Sequence, residues 1–366
     1  MRRIDLRKVQ AAHLHTIRDI NRQIVLNYVR EREPISRATI ARETALQRST
    51  ISEIVEALTG EGLVEEIGEG QSTGGRRPTL LRLRTVGAIA IGVNITPSYT
   101  TIASSDLAGV VVRQEAFPTD PDPQCTLGRI IQIVQKFSAE SSIEGVGVSI
   151  PGLVNPATGD VIFVPYFKWR DLPIVETISQ ATGLPVTIDN DANAVALAEL
   201  WFGRPEVREA RDFIFVLVAD GVGTGIIFDG QVYRGERGAA GEFGHMIVGS
   251  NAPVLCSCGN DDCWEAFASE RAATARYVKL TAASSAPDFG ALVDRALAGQ
   301  DEAKAALTET ARYLGIGISN LVVGFSPEAV IVGGAITRAW SLIEKLGALS
   351  QYFLKKQAKA GSTRRS

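Results

Sequence analysis

The sequence feature that most constrains this chain is a cluster of metal-binding residue types between Gly238 and Glu265. The stretch reads GAAGEFGHMIVGSNAPVLCSCGNDDCWE. Its potential ligands are one imidazole and three thiols: His245, Cys256, Cys258 and Cys263. Three thiolates and one imidazole form the closed tetrahedral set that structural Zn²⁺ takes, with no position left for water. Cysteines as close in sequence as Cys256 and Cys258 cannot easily form a disulfide with each other. We therefore predict a structural zinc site.

An alternative interpretation is that the three cysteines are reduced and buried, and act as small hydrophobic side chains. The residues between the thiols, Gly259 to Asp262, argue against it, because Gly, Asn and Asp favour turns that bend a loop around an ion. The sequence has four Cys and three His, and the other two His, His13 and His15, lie near the N-terminus. The zinc interpretation is therefore preferred.

Two carboxylates, Glu242 and Glu265, lie beside the predicted ligands. A metal that fixes the ring of His245 would also hold both carboxylates near one point. Ionised carboxylates accept hydrogen bonds from hydroxyl groups, so this arrangement suits a polyhydroxylated ligand. The alternative for each Glu taken alone is a solvated surface charge.

These motifs resemble those of a known family. The segment GEFGH, followed by CSCGNDDCWE, is similar to the GExGH and C-x-C-G-x-x-G-C-x-E motifs of the ROK family, which unites bacterial sugar kinases with sugar-responsive repressors. The chain differs at Asp262, where the family has Gly. The resemblance covers nearly the whole chain and implies an α/β body of the actin/hexokinase type with two lobes.

Length and composition indicate a soluble protein of two or three domains, since the chain has 366 residues, 45% of them hydrophobic and 22% charged. No apolar run is long enough to span a bilayer, and the N-terminus lacks the apolar region of a signal peptide. Unpaired thiols and a metal site are typical of a reducing compartment. We therefore expect a cytoplasmic protein.

The N-terminal part, residues 1–84, has the pattern of a DNA-binding domain. It carries 15 Lys and Arg against 11 Asp and Glu, a net charge of +4 within a chain whose total is −3. Apolar residues predict a helix over residues 20–31, ended by Pro34, and Ser36 is predicted to cap the next helix. A third helix follows Leu46, with Ile51, Ile54, Val55 and Leu58 on its buried face. Three such helices match a helix-turn-helix domain. The second helix of the motif itself, here the third helix, enters the major groove of double-stranded DNA.

Residues 64–83 predict two strands joined by a Gly-rich tip that contains Gly74-Gly75-Arg76-Arg77-Pro78, which completes a winged helix-turn-helix. The arginines of this tip could enter an electronegative minor groove. The alternative is an ordinary flexible tip or linker, and the two interpretations are equally supported. Such an extension resembles the repressor branch of the ROK family, because free-standing ROK kinases lack it. The predicted DNA contacts are Gln47, Arg48, Ser49, Thr50, Ser52, Arg76 and Arg77.

The body, residues 85–366, begins with strands separated by turns. In ROK kinases the first hairpin holds an Asp-x-Gly-Gly-Thr motif that positions the phosphates and metal of ATP. Here the matching residues are Asn94-Ile95-Thr96-Pro97. Without the Gly pair the backbone cannot closely approach a phosphate, and Pro97 offers no amide donor. We therefore expect no sugar kinase activity.

The segment VTIDNDANAVALAEL (residues 186–200) predicts a strand, a polar turn and a helix. Asn and Asp commonly cap helices, but the four at this turn exceed the needs of one cap. In ROK kinases the matching Asn–Asp pair binds sugar hydroxyls, so the resemblance implies these contacts for Asn190 and Asp191. With the residues named above, the predicted sugar site is Asn190, Asp191, Glu242, His245 and Glu265.

Four further features complete the resemblance. Tyr166 occupies a position where the family usually has Asn, which implies a different effector preference. Trp169 could stack on a sugar, although a place in the core is favoured. The Gly-rich segments at residues 221–225 and 327–336 resemble nucleotide-side turns and are interpreted as scaffold. The family continues into another helix and a strand after residues 340–366, so we expect a shortened C-terminus.

The sequence thus predicts a sugar-responsive repressor whose ligand changes the spacing of paired DNA-binding domains. Readers of the helix-turn-helix type bind half-sites about one helical turn apart, so a homodimer or homotetramer is expected. Two alternatives stay open. One is an ATP-dependent sugar kinase that carries a DNA-binding domain, and the other is a repressor controlled by a partner protein instead of a sugar.

Overall fold

The computed structural model describes residues 14–70, 77–84, 89–203, 207 and 210–343. The chain divides into two compact units. One comprises Met1–Gly92, Ala103–Glu115 and Ile133–Val146, and the other comprises Val93–Ile102, Ala116–Gln132 and Gly147–Ser366. The predicted domain boundary between residues 84 and 85 stays a prediction, as does the shortened C-terminus, because residues 344–366 lie outside the described ranges. Within those ranges, no helix combines the length and the apolar character needed to cross a bilayer.

Three helices occupy most of residues 14–60. They are α1 (Leu14–Arg32), α2 (Arg37–Thr44) and α3 (Arg48–Gly60). The prediction placed the start of α1 at residue 20, but the helix begins at Leu14, since no Gly or Pro interrupts residues 14–32. Ser36 caps α2 as predicted, because its Oγ accepts a 3.2 Å hydrogen bond from the amide of Thr39.

A small core holds these helices together. The predicted apolar face of α3 is buried, with Ile51, Val55 and Leu58 fully inaccessible. Val25 and Val29 of α1 join the same cluster. Three strands complete this part of the chain: β1 (Ile35–Ser36), β2 (Val64–Glu69) and β3 (Thr79–Leu83). They pair in the order β1-β3-β2, and both pairings are antiparallel.

The first half of the body consists of strands and three helices. One helix follows β6, one precedes β11 and one follows β11. These elements are β4 (Ile89–Ile95), β5 (Tyr99–Asp106), β6 (Val111–Pro118), α4 (Pro123–Glu140), β7 (Ile143–Ile150), β8 (Leu153–Val154), β9 (Val161–Val164), β10 (Trp169–Leu172), α5 (Ile174–Thr182), β11 (Val186–Asn190) and α6 (Asp191–Phe202). Among the described residues, five strands form a sheet in the order β11-β7-β4-β5-β6, and three short strands form another in the order β10-β9-β8.

The second half contains another sheet and most of the remaining helices. Its elements are β12 (Phe213–Val218), β13 (Val222–Phe228), β14 (Gln231–Val232), α7 (Trp264–Ala268), α8 (Glu270–Thr281), α9 (Phe289–Leu297), α10 (Asp301–Phe325), β15 (Ala329–Gly333) and α11 (Trp340–Ile343), with 3₁₀ turns at Phe243–His245 and Ala335–Ala339. The sheet order is β14-β13-β12-β15, with β15 parallel to β12. Side chains of this sheet and of helices α7 to α11 form one large apolar core.

Two local features of this half bear on the site. Helix α6 packs closely against β13, because a Cβ atom at Gly225 would lie 2.3 Å from the carbonyl oxygen of Ala192. The Gly-rich hairpin is therefore required by packing. Helices α7 and α8 are separated at Ser269, whose side chain accepts a hydrogen bond from the amide of Ala272 and caps α8.

Candidate functional site

The four predicted metal ligands converge in the second unit. Their potential ligand atoms all lie within 4.8 Å of one another. His245 Nδ1 is 3.3 Å from Cys256 Sγ, and Cys258 Sγ is 3.8 Å from Cys263 Sγ. A tetrahedral Zn²⁺ with Zn–S bonds of ~2.3 Å separates its sulfur ligands by about 3.8 Å. The cluster therefore fits a metal ion of this size with only small adjustments.

The loop that carries the thiols is built from the predicted turn residues. Gly259 has a φ of +92° and Asp262 a φ of +62°. Asp262 thus adopts the left-handed conformation that Gly takes without cost, and Asp is among the few other residues that tolerate it. Its Oδ1 atom also accepts a 2.8 Å hydrogen bond from the amide of Ala252. The difference from the family motif at this position is therefore compatible with the turn.

Burial opposes ionisation of the thiols in this cluster. It raises the pKa of Cys263 to about 11 and also raises the pKa of Cys256. Thiolates in such surroundings need a cation to balance their charge. The exposed Cys125 lies elsewhere and is not part of the cluster.

The metal loop also fixes Glu265, which is only 4% exposed. Its Oε1 atom accepts hydrogen bonds from the amide of Ser257 at 3.0 Å and from Ser257 Oγ at 2.7 Å. Ser257 lies between Cys256 and Cys258, so the loop that gathers the thiols orients the carboxylate as well. Sequence reasoning missed Ser257, because nothing in the motif indicates where its hydroxyl points.

All five predicted sugar-site residues line one pocket. The pocket and its open mouth together enclose about 600 Å³. It is bounded by Asn190, Asp191, Glu242, His245 and Glu265. The two ring nitrogens of His245 face different partners: Nδ1 faces the thiol cluster, and Nε2 lies 3.6 Å from Glu242 Oε2.

The turn at the start of α6 separates the roles of its polar residues. Asn190 is the cap, since its Oδ1 accepts from the amides of Ala192 at 2.9 Å and Asn193 at 3.3 Å. Asp189 is held by Arg234, whose Nε donates to Asp189 Oδ2 at 2.9 Å. Asp191 faces the pocket, and desolvation raises its pKa to about 6.

Glu242 keeps more contact with solvent than Glu265 does. Partial desolvation, together with the charges of Asp191 and Glu265, raises the pKa of Glu242 to about 7. Even so, 38% of its side chain remains accessible. A ligand in the pocket can therefore reach this carboxylate.

The pocket contains residues that the sequence did not assign to it. Asp220 and Tyr166 line it, and the Oη atom of Tyr166 is buried without a hydrogen-bond partner among the described residues. Burial raises the pKa of this phenol well above its usual range, so it stays protonated. Trp169 is 4% exposed, and its Nε1 donates to the carbonyl of Pro121 at 2.6 Å. The favoured prediction of a core position for Trp169 is therefore confirmed.

The loop between β4 and β5 makes its own hydrogen bonds. The amide of Thr96 donates to the carbonyl of Tyr99 at 3.0 Å, and the amide of Tyr99 donates to Thr96 Oγ1 at 3.1 Å. Asn94 Oδ1 accepts a 2.7 Å hydrogen bond from Ser149 Oγ. The amides of Thr96 and Tyr99 are thus engaged within the loop.

Five of the predicted DNA contacts lie around the start of α3, in the first unit. Gln47, Arg48 and Ser49 are exposed, whereas Thr50 and Ser52 are half-buried. Arg77, before β3, has 69% of its side chain accessible and lies 3.8 Å from Glu69. Arg76 lies outside the described residues.

Comparison with known proteins decides the family. A model described as the ROK family matches residues 90–364. The chain belongs to the ROK family. A relative from Caldicellulosiruptor sp. (strain Rt8B.4), named putative xylose repressor, is 35% identical over 87% of this chain and 83% of its own length.

Solved structures of ROK proteins resemble this chain to different extents. The crystal structure of a ROK family transcriptional regulator, a homolog of the E. coli MLC protein, is 26% identical with a TM-score of 0.78 and covers 93% of this chain and 88% of its own. A ROK family glucokinase from Streptomyces griseus, solved with glucose and AMPPNP, is 29% identical with a TM-score of 0.66. The match covers 73% of this chain and 89% of the glucokinase chain. The body therefore has the actin/hexokinase-like fold of ROK proteins, and a helical N-terminal region accompanies it.

Proposed function

We propose that this ROK protein is a sugar-responsive, DNA-binding transcriptional repressor of carbohydrate-metabolism genes. The observation that carries the proposal is the single pocket in which Asn190, Asp191, Glu242, His245 and Glu265 meet. Its amide and carboxylates match the donors and acceptors of a polyhydroxylated ligand. The repressor and regulator names of two of the relatives support the same assignment.

The N-terminal segment acts as a winged helix-turn-helix on double-stranded DNA. Helix α3 enters the major groove, with Gln47, Arg48, Ser49, Thr50 and Ser52 at its leading end. Support comes from the exposure of the first of these residues and from the burial of the opposite face of the helix. The antiparallel pair β2 and β3 forms the wing, and Arg76 and Arg77 contact the backbone or the minor groove.

The metal is a structural zinc ion held by His245, Cys256, Cys258 and Cys263. A bound Zn²⁺ would supply charge balance for the thiolates and would crosslink the loop. The loop orients Glu265 through Ser257. Ligation through Nδ1 of His245 would hold the ring with its Nε2 edge towards Glu242. Free thiols and this metal set support a reducing cytoplasm as the location.

Sugar binding and DNA binding are coupled. The sugar contacts Asn190, Asp191, Glu242, His245 and Glu265 and stabilises one state of the body. In that state the protein has a lower affinity for its operator. A ligand shifts such an equilibrium only through its different affinities for the two states, typically by ~1–3 kcal/mol. The functional unit is a homodimer or homotetramer, because two half-sites on one duplex require paired recognition helices.

The protein is not a sugar kinase in this proposal. The loop that contains Thr96 and Pro97 supports this view, because the Thr96 amide donates to the carbonyl of Tyr99 and Pro97 has no amide donor. The likeness to the Streptomyces griseus glucokinase favours kinase activity as the second candidate. An assay of ADP release with pentoses and hexoses separates the two: the repressor predicts no turnover above background, and sustained turnover would contradict it.

The direct test is an operator-binding assay with added sugars. An operator is selected from a random pool of duplexes, and its affinity is measured by gel shift with each pentose and hexose. The proposal predicts that at least one sugar weakens binding by about 5-fold or more. A protein that binds its operator equally with every sugar would overturn the proposal and would point to control by a partner protein.

A further inference from the structure

The hairpin of β5 and β6 presents an apolar residue at its tip. The turn runs from Asp106 to Val110, and the amide of Asp106 donates to the carbonyl of Val110 at 3.1 Å. Asp106 Oδ1 accepts hydrogen bonds from the amides of Ala108 at 3.0 Å and Val110 at 2.9 Å. Gly109 has a φ of +83°, which Gly adopts without steric cost. The turn is therefore well defined, and it fixes the position of Leu107.

Leu107 contacts the N-terminal segment of the chain. The residues that follow it in the turn, 108–110, are exposed, whereas Leu107 is half-buried. It packs against the apolar cluster that contains the buried face of α3, the helix that we assign to the major groove. Residues 103–115 also belong to the same compact unit as the N-terminal segment. Turns usually carry Gly, Pro, Asn, Asp or Ser, so the leucine at this tip serves a contact.

The other end of β5 begins beside the pocket. The loop before this strand contains Pro97, which lines the pocket that we assign to the sugar. The amide of Thr96 donates to the carbonyl of Tyr99 at 3.0 Å, and Thr96 Oγ1 donates to the same carbonyl at 2.7 Å. Tyr99 is the first residue of β5. A shift of the loop therefore moves this end of the strand.

Between its two ends, β5 is held along both edges. It lies between β4 and β6 in the five-stranded sheet. Thr100, Ile102 and Ser104 are buried on one of its faces, and Thr100 Oγ1 is hydrogen-bonded to Thr119 Oγ1 at 2.9 Å. The strand has eight residues, which span about 26 Å at ~3.3 Å per residue. Such a strand is stiff, so a displacement at one end reaches the other.

We propose that β5 transmits the ligand state of the pocket to the DNA-binding segment, and that Leu107 is the contact through which it acts. The inference rests on the proposed function and adds a physical route to it. A sugar that displaces the loop at Pro97 shifts β5, and Leu107 then moves against the cluster behind α3. The DNA-contacting end of α3 changes position as a result. Coupling of this kind is carried by packed side chains and rigid elements with two arrangements.

The test measures a coupling ratio, defined as the operator affinity without sugar divided by the operator affinity with saturating sugar. Fluorescence anisotropy on the full chain gives both affinities, with whichever of xylose, glucose and N-acetylglucosamine binds wild type most tightly in calorimetry. Leu107→Ala removes most of the contact and should lower the ratio by about 3-fold or more. Its affinity for the sugar without DNA should stay within about twofold of wild type, because Leu107 does not line the pocket.

Two further variants separate this contact from a general effect of the hairpin. Val112→Ala shortens a side chain of β6 that is 63% exposed, and it should keep the wild-type ratio. Leu107→Met restores an apolar side chain of similar volume and should recover most of the ratio. An equal loss in Leu107→Ala and Val112→Ala would overturn the role of Leu107.

A measurement on wild type does not depend on how well the variants fold. Hydrogen exchange of the amides of residues 103–110 is followed by mass spectrometry with and without the sugar. These residues do not line the pocket, so a sugar-dependent change in their exchange supports the route. Unchanged exchange in this segment would overturn it.

Failure of this inference is distinguishable from failure of the proposed function. If sugar changes the operator affinity of wild type and of Leu107→Ala by the same factor, the route through β5 is wrong and the sugar-responsive repressor stands. If no pentose or hexose changes the operator affinity of wild type, the proposed function fails, and this inference fails with it.

Discussion

Ser257 and Glu265 are joined by a 2.7 Å hydrogen bond from Ser257 Oγ to Glu265 Oε1. The first residue lies between two cysteines of the metal cluster, and the second is a carboxylate of the pocket. The loop that carries the thiols therefore orients the pocket carboxylate through three hydrogen bonds to Glu265 Oε1, from Ser257 Oγ, the Ser257 amide and Cys256 Sγ. We therefore expect loss of the metal to weaken sugar binding.

Loss of a metal ligand should weaken both stability and sugar binding. Cys258→Ser removes one of three thiolates, so we expect zinc content to fall well below one ion per chain and the melting temperature to fall by about 5 °C or more. Elemental analysis and thermal denaturation measure these effects. Cys125→Ser is the matched control, because that cysteine lies outside the cluster. Equal zinc content in wild type and Cys258→Ser would contradict the ligand assignment.

Ser257→Ala should separate the metal from the sugar. The variant keeps all four ligands but removes the hydroxyl that holds Glu265 Oε1, so zinc content should stay unchanged. Sugar affinity should fall by about 3- to 10-fold, since a hydrogen bond to a charged group is lost. Ser250→Ala, an exposed position upstream of the same loop, is the control. Unchanged affinity in Ser257→Ala, measured by calorimetry, would show that the contact does not position the carboxylate.

Stability should depend on pH through Glu270. Burial, with the charges of Asp220 and Asp288, raises the pKa of this carboxyl from 4.5 to about 7. The folded protein therefore holds this proton more tightly than the unfolded chain, so the group's stabilising contribution, full below pH 4.5, is lost as pH rises through 7.

Glu270→Gln cannot ionise and should remove this dependence. We expect the variant to melt about 2 °C or more above wild type at pH 8 and close to wild type at pH 5. Thermal denaturation at the two pH values measures the difference. If the melting temperatures of the variant and wild type differ by the same amount at pH 5 and at pH 8, this carboxyl does not titrate between those pH values.

Arg48 should contribute to DNA affinity through a phosphate or a base edge. Arg48→Ala on the exposed end of α3 should weaken binding to a selected operator by about 5-fold or more. Fluorescence anisotropy over a range of salt concentrations measures the operator affinity. If Arg48 contacts a phosphate, its loss should reduce the slope of log affinity against log salt concentration by about one. Arg211→Ala, which removes another exposed arginine that lies in the body, should bind DNA like wild type. Identical losses in the two variants would indicate nonspecific charge attraction.

The sequence predicted those parts of the site that local spacing determines. The ligand set follows from residue types that few other sites use, and the burial of Ile51 and Leu58 follows from helical periodicity. Among the four polar residues at residues 189–193, however, spacing could not choose the cap. The structure assigns that role to Asn190, because only its side chain reaches two first-turn amides.

The remaining features depend on contacts between distant segments. Arg234 neutralises Asp189 from 45 positions away, and Tyr166 and Glu265 approach Gly221 from different parts of the chain. A single sequence does not encode such pairs in any local pattern. Asp220, a further carboxylate of the pocket, was missed because it precedes the Gly-rich segment that was interpreted as scaffold.

The central claim is that a sugar held by Asp191 controls the affinity for DNA. Its most direct test is a titration of preformed operator complexes with the sugar that binds best, on wild type and on Asp191→Asn, followed by anisotropy. The account predicts that the sugar releases wild type from the operator, while Asp191→Asn binds the same operator but needs at least about tenfold more sugar for release. If the sugar binds wild type in calorimetry yet leaves its operator affinity unchanged, the claim is contradicted.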